Sequence, residues 1–490
     1  MTVKKVTIIG SGFSSISAAC YLANAGYAVD VYEKNEQLGG RARQLSKDGF
    51  LFDMGPTWYW MPDVFERFFA DFGKKPSDYY QLEKLDPAYR VYFGREDFID
   101  IGASREDIRQ VFESQEPGAG QALDRFLNKS KKNYDIAIKD LVYQPGESPL
   151  ELVRIDTAIE LPQFIATIHD VVKRRFKDQK LRQILEFPVL FLGAKPSMTP
   201  AFYSFMNYAD FGLGTWYPKG GMRSVVTGMI RLAEELGVKF HTGMDVRGIE
   251  VGERSALKGI RIGDRVLQTD LLVSGADYHH TEQLLAPQYR QYSEKYWSKR
   301  VMAPSSLLFY VGFSRKLKNV KHHTLFFDVP FDAHAREIYD NPAWPEKPLF
   351  YASFPSITDA EVAPSGKEAA VFLIPLATDL EDTAATRQRY FEIILQRLEF
   401  ITGQELRPYV EFQESYCLKD FKKDYNSLGG NAYGMANTLM QTAFLRPKMR
   451  SRKVKNLYFT GQLTVPGPGV PPSLISGKLV AELLTKNKER

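Results

Sequence analysis

Two glycines and one acidic residue stand near the N-terminus at a spacing that could serve a phosphate ligand. Gly10 and Gly12 flank Ser11, and Glu33 follows about twenty positions after Gly12. A first glycine permits a tight turn, and a second lets a pyrophosphate approach the backbone closely. The carboxylate could accept ribose hydroxyls, and its charge disfavours a ligand that carries a 2′-phosphate. These residues therefore predict a dinucleotide site for a ligand other than NADP.

The elements around these residues would hold them in place. Residues 6–9 form a β-branched run typical of a buried strand, and a helical pattern continues from Phe13 until Gly26. Residues 27–32 then predict a second strand, which ends at the acid. The result is a βαβ unit whose helix N-terminus presents unpaired N–H groups to the phosphates. Further contacts with the ligand are expected from Phe13, Ser14, Ser15 and Lys34.

Ser15 departs from the full dinucleotide fingerprint, which has glycine at this third small position. Serine is small enough to be tolerated between the helix and the strand. A Gly-x-Gly pair alone is a weak signal, but its position after a strand, before a helix and upstream of an acid strengthens the prediction.

A further glycine segment follows the second strand. Gly39, Gly40 and Arg41 could cradle and neutralise a second phosphate region. No other Gly-x-Gly-x-x-Gly follows a strand and opens a helix, so a second site for NAD(P)H is not predicted. We therefore expect an oxidase or a dehydrogenase that passes its electrons to another acceptor.

Length and composition restrict the class of protein. A chain of 490 residues exceeds the roughly 250–300 that one core supports, so two domains are expected. Hydrophobic residues at 44% and charged residues at 25% are typical of a globular protein, and a net charge of +5 gives no case for nucleic acid. No apolar run reaches the roughly 18 residues of a bilayer-spanning helix, so none is expected.

Cys20 and Cys417 are the two cysteines of the sequence. They cannot form a disulfide framework, a CxxC redox pair or a cysteine metal site, so we expect no metal and a reducing, cytoplasmic setting. The aromatic share of 13% indicates either a large core or the lining of a site for a bulky apolar ligand.

Segments at both ends of the chain carry a resemblance to a known family. Residues 466–471 have the sequence Pro-Gly-Pro-Gly-Val-Pro, which is similar to a PGxGxP flavin loop, and they follow a predicted strand that ends at Gly461. Together with Gly55, Pro56 and Thr57, they resemble the FAD-binding amine oxidase and carotenoid desaturase superfamily, and within it the bacterial phytoene desaturases. The resemblance covers almost the whole chain and is weakest between residues 100 and 193.

This resemblance implies an α/β fold with FAD as cofactor. A Rossmann-type FAD-binding domain, glutathione reductase-like and amine oxidase-like, would comprise residues 1–75, 215–295 and 447–490. A discontinuous α+β substrate domain would comprise residues 76–214 and 296–446. The implied contacts with FAD beyond the N-terminal unit are Gly55, Pro56, Thr57, Val246, Gly461, Gln462, Gly469, Val470 and Pro471. Gln462 stands where many related flavoproteins place an acid.

The resemblance further implies an oxidoreductase that acts on CH–CH bonds. The expected reaction is FAD-dependent desaturation of a linear carotenoid precursor, phytoene or a partly desaturated product, by hydride transfer to flavin. No motif identifies a proton acceptor, so the catalytic residues stay unassigned. Other carotenoid-type steps remain open, such as isomerisation, desaturation of a hydroxylated carotenoid or a retinol saturase-like reaction. An amine oxidase and a non-catalytic flavin-binding protein are more distant alternatives.

A polyene substrate is almost insoluble in water, so the enzyme would collect it from a membrane. We expect peripheral attachment to the inner face of the cell membrane, and oxygen or a quinone as electron acceptor, while the oligomeric state stays open. Residues 161–187 predict a helix that mixes basic and apolar residues and could lie on an anionic membrane or pack on its own core. His279 and His280 are expected in a surface loop.

Overall fold

The fold consists of two large β-sheets with helices packed around them. The structure is a computed structural model that describes residues 3–139, 141–152, 163–164, 166–190 and 195–486. Within these residues, a five-stranded and a seven-stranded sheet are accompanied by three smaller sheets.

The strands and helices alternate along the chain. The strands are β1 (Lys5–Ile9), β2 (Ala28–Tyr32), β3 (Gln44–Lys47), β4 (Phe50–Asp53), β5 (Leu82–Lys84), β6 (Tyr89–Gly94), β7 (Asp97–Ile101), β8 (Trp216–Pro218), β9 (Lys239–His241), β10 (Val246–Val251), β11 (Leu257–Ile262), β12 (Arg265–Gln268), β13 (Leu271–Ser274), β14 (Ser305–Phe313), β15 (His323–Phe326), β16 (Phe350–Ser353), β17 (Glu368–Leu376), β18 (Val410–Tyr416) and β19 (Leu457–Phe459). The helices are α1 (Phe13–Asn24), α2 (Pro62–Ala70), α3 (Arg105–Gln115), α4 (Ala119–Lys139), α5 (Ile168–Arg175), α6 (Gln179–Leu190), α7 (Phe205–Phe211), α8 (Met222–Glu235), α9 (Tyr278–Gln283), α10 (Glu294–Trp297), α11 (Phe331–Tyr339), α12 (Ala384–Thr402), α13 (Leu418–Tyr425) and α14 (Val470–Lys486).

The N-terminal unit belongs to a parallel five-stranded sheet with the order β19-β13-β1-β2-β9. The central strand β1 buries Val6 and Ile8 completely, as a parallel strand covered on both faces requires. α1 begins directly after Gly12 and is rich in serine and alanine, whose small side chains let neighbouring elements approach it. The predicted Rossmann-type α/β unit is confirmed.

The second large sheet has the order β18-β14-β17-β16-β15-β6-β7. Four extended apolar runs between residues 305 and 377 form β14 to β17, which pair antiparallel with one another. β15 also pairs in parallel with β6, a strand from an earlier part of the chain. The β6–β7 hairpin extends the sheet at this edge. The strands of the two sheets fall in the segments predicted for the two domains, and that division stays a prediction.

The single helix predicted over residues 161–187 is wrong. Its first residues lie outside the described part of the chain, and the remainder forms α5 and α6, with extended backbone at residues 176–178 between them. α5 buries Ile168 and Val172 in the core, whereas the three basic residues at its C-terminal end are exposed. The apolar face of α5 therefore packs on the protein itself.

The two ends of the chain meet where α1 packs against α14. A Cβ atom built on Gly477 of α14 would lie 2.5 Å from the carbonyl oxygen of Ser14 and 2.5 Å from the Cβ of Ser17. The Ser17 hydroxyl donates a hydrogen bond of 2.8 Å to the carbonyl oxygen of Leu474. This close approach joins the C-terminal helix to the N-terminal unit.

Replacing Gly477 by valine should force α1 and α14 apart and lower the free energy of unfolding. The nearest atoms include the backbone of Ser14, which cannot rotate away, and overpacking of a core costs about 1–3 kcal/mol. Urea unfolding followed by circular dichroism measures the loss. Gly252→Ala is the matched control, because the nearest atom to its added Cβ is 3.7 Å away. A Gly477→Val protein as stable as the control would contradict the close approach.

Candidate functional site

One cavity of about 1100 Å³ brings together predicted residues from both ends of the chain. Of the residues predicted to bind the cofactor, it is lined by Gly10, Gly12, Phe13, Ser14, Glu33, Lys34, Gly39, Gly40, Arg41, Gly55, Pro56, Thr57, Val246, Gly461, Gln462, Gly469, Val470 and Pro471. Their shared position in one cavity supports a common ligand, and their individual roles toward that ligand stay predictions.

Ser15 is the predicted site residue that does not line the cavity. It is fully buried against Gly275, where an added Cβ atom would lie 2.0 Å from the Ser15 hydroxyl oxygen. Ser15 therefore packs α1 against the segment that follows β13, and its predicted contact with the cofactor stays a prediction. A small side chain is needed there because the two backbones approach closely.

The glycine turn leaves an open space at the start of α1. Gly10 has a φ of +85°, which glycine adopts without strain and which returns the chain from β1 toward α1. Gly12 has an ordinary φ of −69°, and an added Cβ atom would have no neighbour within 4 Å. Neither the backbone nor the packing of the protein requires glycine at position 12. The free space in front of the helix N-terminus fits a diphosphate.

Glu33 is held by hydrogen bonds rather than by a cation. It is buried, and its Oε2 accepts from the backbone N–H of Ser11 at 3.0 Å and from the Ser11 hydroxyl at 2.7 Å. Its Oε1 accepts from the backbone N–H and the side-chain amide of Asn35, both at 2.9 Å. Ser11 and Asn35 also line the cavity, so ribose hydroxyls would share this carboxylate with them. The sequence did not identify these two partners.

Arg41 supplies a partly buried cation to the same part of the cavity. Its guanidinium makes one long hydrogen bond, 3.4 Å, to the carbonyl oxygen of Asn431, and lies 4.8 Å from the ring centre of Tyr425. Its Nε has no hydrogen-bond partner among the described residues. Burial lowers the pKa of Arg41 from its ordinary value, while nearby Tyr425 and Asp277 oppose the shift. A phosphate group would pair this charge.

The C-terminal loop closes the cavity from the opposite side. The backbone N–H of Gly461 donates to the hydroxyl of Ser476 at 2.9 Å, which ties the end of β19 to α14. Gln462 donates from its side chain to Asn431 at 3.3 Å. α14 begins at Val470. The prolines at 471 and 472 fit its first helical turn, where an N–H needs no partner.

The predicted surface loop at His279 and His280 is wrong, because both residues lie in α9. The Asp277 carboxylate caps this helix and accepts from the backbone N–H of His280 at 3.2 Å. His279 lies 3.0 Å from the Glu294 carboxylate, outside the cavity, whereas His280 lines the cavity together with Val246. Burial lowers the pKa of His280. Sequence reasoning missed the helix because its Asp cap was not considered.

The remaining wall of the cavity is aromatic. Trp58 lies 5.7 Å from Phe187, and Phe187 lies 6.0 Å from Phe327, measured between ring centres. Trp60 is fixed by a hydrogen bond of 2.8 Å from its indole N–H to Thr215. All four aromatic residues line the cavity. The cavity thus joins a nucleotide-binding surface to an apolar wall, an arrangement that suits a cofactor and a large apolar substrate.

A family comparison decides the classification. The model of the family described as flavin containing amine oxidoreductase matches residues 14–485. The chain belongs to this flavin-containing amine oxidoreductase family. FAD is accordingly the cofactor that these residues would hold, and the open space at Gly12 and the unpaired Nε of Arg41 fit its diphosphate.

Full-length relatives within the family are carotenoid desaturases. The chain is 44% identical over 486 residues to a carotenoid 3,4-desaturase of Haloarcula japonica, and the alignment covers 98% of each protein. It is 30% identical over 499 residues to a 4,4′-diapophytoene desaturase (4,4′-diaponeurosporene-forming) of Staphylococcus haemolyticus, and that alignment covers 99% of each protein. The prediction of an FAD-dependent oxidoreductase of the carotenoid desaturase family, acting on CH–CH bonds of a hydrophobic polyene, is confirmed.

Two solved oxidoreductase structures share the fold. An oxidoreductase from Methanosarcina mazei aligns with a TM-score of 0.64 at 18% identity over 98% of this chain and 100% of that chain. A redesigned putrescine oxidase aligns with a TM-score of 0.63 at 14% identity, over 99% of this chain and 100% of that chain. Across the described residues, the structure contains no helix of sufficient length and apolarity to cross a bilayer.

Replacing Gly12 by alanine should weaken FAD binding and leave the fold intact. The added methyl group meets no protein atom within 4 Å, but it occupies the space in front of the helix N-terminus. We expect the flavin-free variant to unfold at the same urea concentration as the flavin-free wild-type protein. The dissociation constant for FAD, measured by fluorescence titration, should be at least tenfold higher. Gly252→Ala should change neither quantity. Wild-type FAD affinity in Gly12→Ala would contradict the placement of the diphosphate.

Proposed function

We propose that the protein introduces a double bond between C3 and C4 of a long, acyclic carotenoid that is already conjugated along its centre. The observation that carries this proposal is the 44% identity over 98% of both chains to a carotenoid 3,4-desaturase, against 30% to a diapophytoene desaturase. The C3–C4 bond of such a carotenoid lies beside the conjugated system, where allylic C–H bonds are weak.

The size and lining of the cavity support two ligands side by side. Ordinary ligand pockets measure roughly 300–1000 Å³, whereas this cavity measures about 1100 Å³. The glycine segments, Glu33 and Arg41 would hold the dinucleotide of FAD. The wall formed by Trp58, Trp60, Phe187 and Phe327 would hold the polyene.

The chain's own residues would position the substrate and exclude water. FAD, when bound, accepts a hydride equivalent, which no side chain can store. The aromatic wall orients a rigid polyene through apolar contacts along its length. The indole of Trp60 is held by Thr215, which in turn donates to the buried carboxylate of Asp210 at 3.2 Å, so this part of the wall is fixed. The proton that completes the reaction needs a separate acceptor.

Expression in two carotenoid-producing hosts tests the proposal. In a host that accumulates an acyclic, centrally conjugated carotenoid with saturated C3–C4 bonds, we expect a product lighter by two hydrogens per new bond and an absorbance shifted to longer wavelength. In a host that accumulates colourless phytoene, we expect no pigment. The Gly12→Ala variant, with its weaker FAD binding, should form less of this product. Pigment formed from phytoene, with the conjugated carotenoid left unchanged, would instead assign the phytoene-type reaction.

We also infer that the protein attaches to the inner face of the cell membrane through the mouth of the cavity. Met440 lines the cavity and is nevertheless 70% exposed, so an apolar side chain stands where the cavity reaches the surface. An apolar side chain at the entrance of a site for an apolar substrate would contact the lipid from which that substrate enters. Oxygen or a membrane quinone would then reoxidise the flavin.

Replacing Met440 by aspartate should lower binding to phosphatidylglycerol vesicles severalfold, because a charge at the cavity mouth opposes insertion between lipids. Co-sedimentation of the FAD-loaded protein measures this binding. Phe400→Asp is the matched control, since Phe400 is 60% exposed on α12 and does not line the cavity. Equal binding of the two variants would contradict attachment at the cavity mouth.

A further inference from the structure

A chain of polar groups crosses the aromatic wall of the cavity. The hydroxyl of Tyr351 lies 2.8 Å from the Thr57 hydroxyl and 2.7 Å from Nδ1 of His323. Thr57 and Tyr351 line the cavity, and His323 is fully buried behind them. Thr57 directly follows Gly55 and Pro56, which belong to the predicted cofactor surface. The Tyr351 hydroxyl therefore lies where the cofactor surface and the aromatic wall meet.

His323 is arranged to accept a proton through Tyr351. Its ring stacks on the indole of Trp58 at 4.0 Å with an interplanar angle of 10°, and its Nε2 has no hydrogen-bond partner among the described residues. Burial lowers the pKa of His323 well below its ordinary value, and burial raises the pKa of Tyr351. Both groups are therefore neutral before reaction. An imidazolium formed at His323 would be stabilised by the face of the indole ring.

His334 and the carboxylates of the lining have other partners. His334 donates from Nε2 to the carbonyl oxygen of Pro375 at 2.8 Å and accepts at Nδ1 from the backbone N–H of Leu349 at 3.0 Å, so neither nitrogen has a free lone pair. The carboxylates that line the cavity in the described part of the chain have protein partners; they are Glu33, Glu151, Asp245, Asp277 and Asp424.

We propose that Tyr351 accepts the proton released during desaturation and passes its own proton to Nδ1 of His323. This inference rests on the proposed desaturation. One C–H bond of the CH2–CH2 unit breaks and its hydrogen leaves with the electron pair as a hydride, for which bound FAD would be the two-electron oxidant. The neighbouring C–H bond breaks, its proton moves to the Tyr351 oxygen, and its electron pair becomes the second bond of CH=CH. The phenolic proton moves to His323, so Tyr351 ends neutral and His323 ends as an imidazolium.

A weak base suffices at this position. A C–H bond becomes strongly acidic as the neighbouring carbon loses its hydride, so a neutral hydroxyl backed by an imidazole can remove its proton in the same step. The hydrogen bond to Thr57 fixes the Tyr351 hydroxyl in the cavity wall, and Thr57 is accordingly a positioning residue. Positioned proton transfer contributes roughly 10²- to 10⁴-fold to a rate.

Anaerobic stopped-flow reduction of the FAD-loaded protein by the carotenoid tests the assignment. Tyr351→Phe keeps the ring and removes the acceptor, so the limiting rate of flavin reduction should fall at least 100-fold. The dissociation constant of the carotenoid, read from its absorbance shift on binding, should change by less than about threefold. Tyr92→Phe is the matched control. Tyr92 lies on β6 of the same sheet but outside the cavity, and its hydroxyl donates to the carbonyl oxygen of Asn319.

His323→Asn separates proton acceptance from simple positioning. The asparagine oxygen can still accept the Tyr351 hydrogen bond, but it cannot hold the proton, so the rate should fall as in Tyr351→Phe while FAD affinity and the flavin spectrum stay those of the wild type. Near-wild-type reduction in either variant, with carotenoid bound, would overturn the proposal. Wild-type protein that binds the carotenoid without reducing its flavin would instead refute the proposed function.

Discussion

The close contact between α1 and α14 at Gly477 is the constraint on which the site depends. α1 carries the phosphate-facing turn at its start, and α14 carries the C-terminal loop at its own start. Because a Cβ on Gly477 would lie 2.5 Å from the backbone of Ser14, the two helices can cross closely only with glycine there. Their N-terminal ends consequently line one cavity, although they are separated by most of the chain.

The cofactor surface could be predicted because its signals are local. Gly10, Gly12 and Glu33 lie within one βαβ unit, whose turn and helix follow from short-range sequence patterns. The aromatic wall could not be predicted in this way. Trp58, Phe187 and Tyr351 come from distant segments with no shared motif, and only the tertiary fold brings them together. The helix at His279 did have a local signal, the Asp277 cap directly before it.

Charge is distributed asymmetrically around the cofactor surface. Glu33 has its carboxylate lone pairs occupied by Ser11 and Asn35, so this negative charge is stabilised without a ligand. Arg41 makes one long hydrogen bond to a carbonyl oxygen and leaves Nε without a partner. A buried cation is costly when it is incompletely hydrogen-bonded. An anionic ligand would therefore stabilise this surface by pairing with Arg41, in agreement with the diphosphate of FAD, the cofactor of the family.

The register of the seven-stranded sheet decides which residues meet the substrate. Tyr351 on β16 pairs with Leu325 on β15 and with Leu373 on β17, and all three residues line the cavity. Their neighbours in sequence, such as Phe326 and Phe372, do not line the cavity and pack in the core beneath α12. Because side chains alternate along a strand, a shift of one residue would bury Tyr351 in that core and bring phenylalanine to the cavity. The proposed proton transfer through Tyr351 thus requires this pairing of β15, β16 and β17 as much as it requires the tyrosine itself.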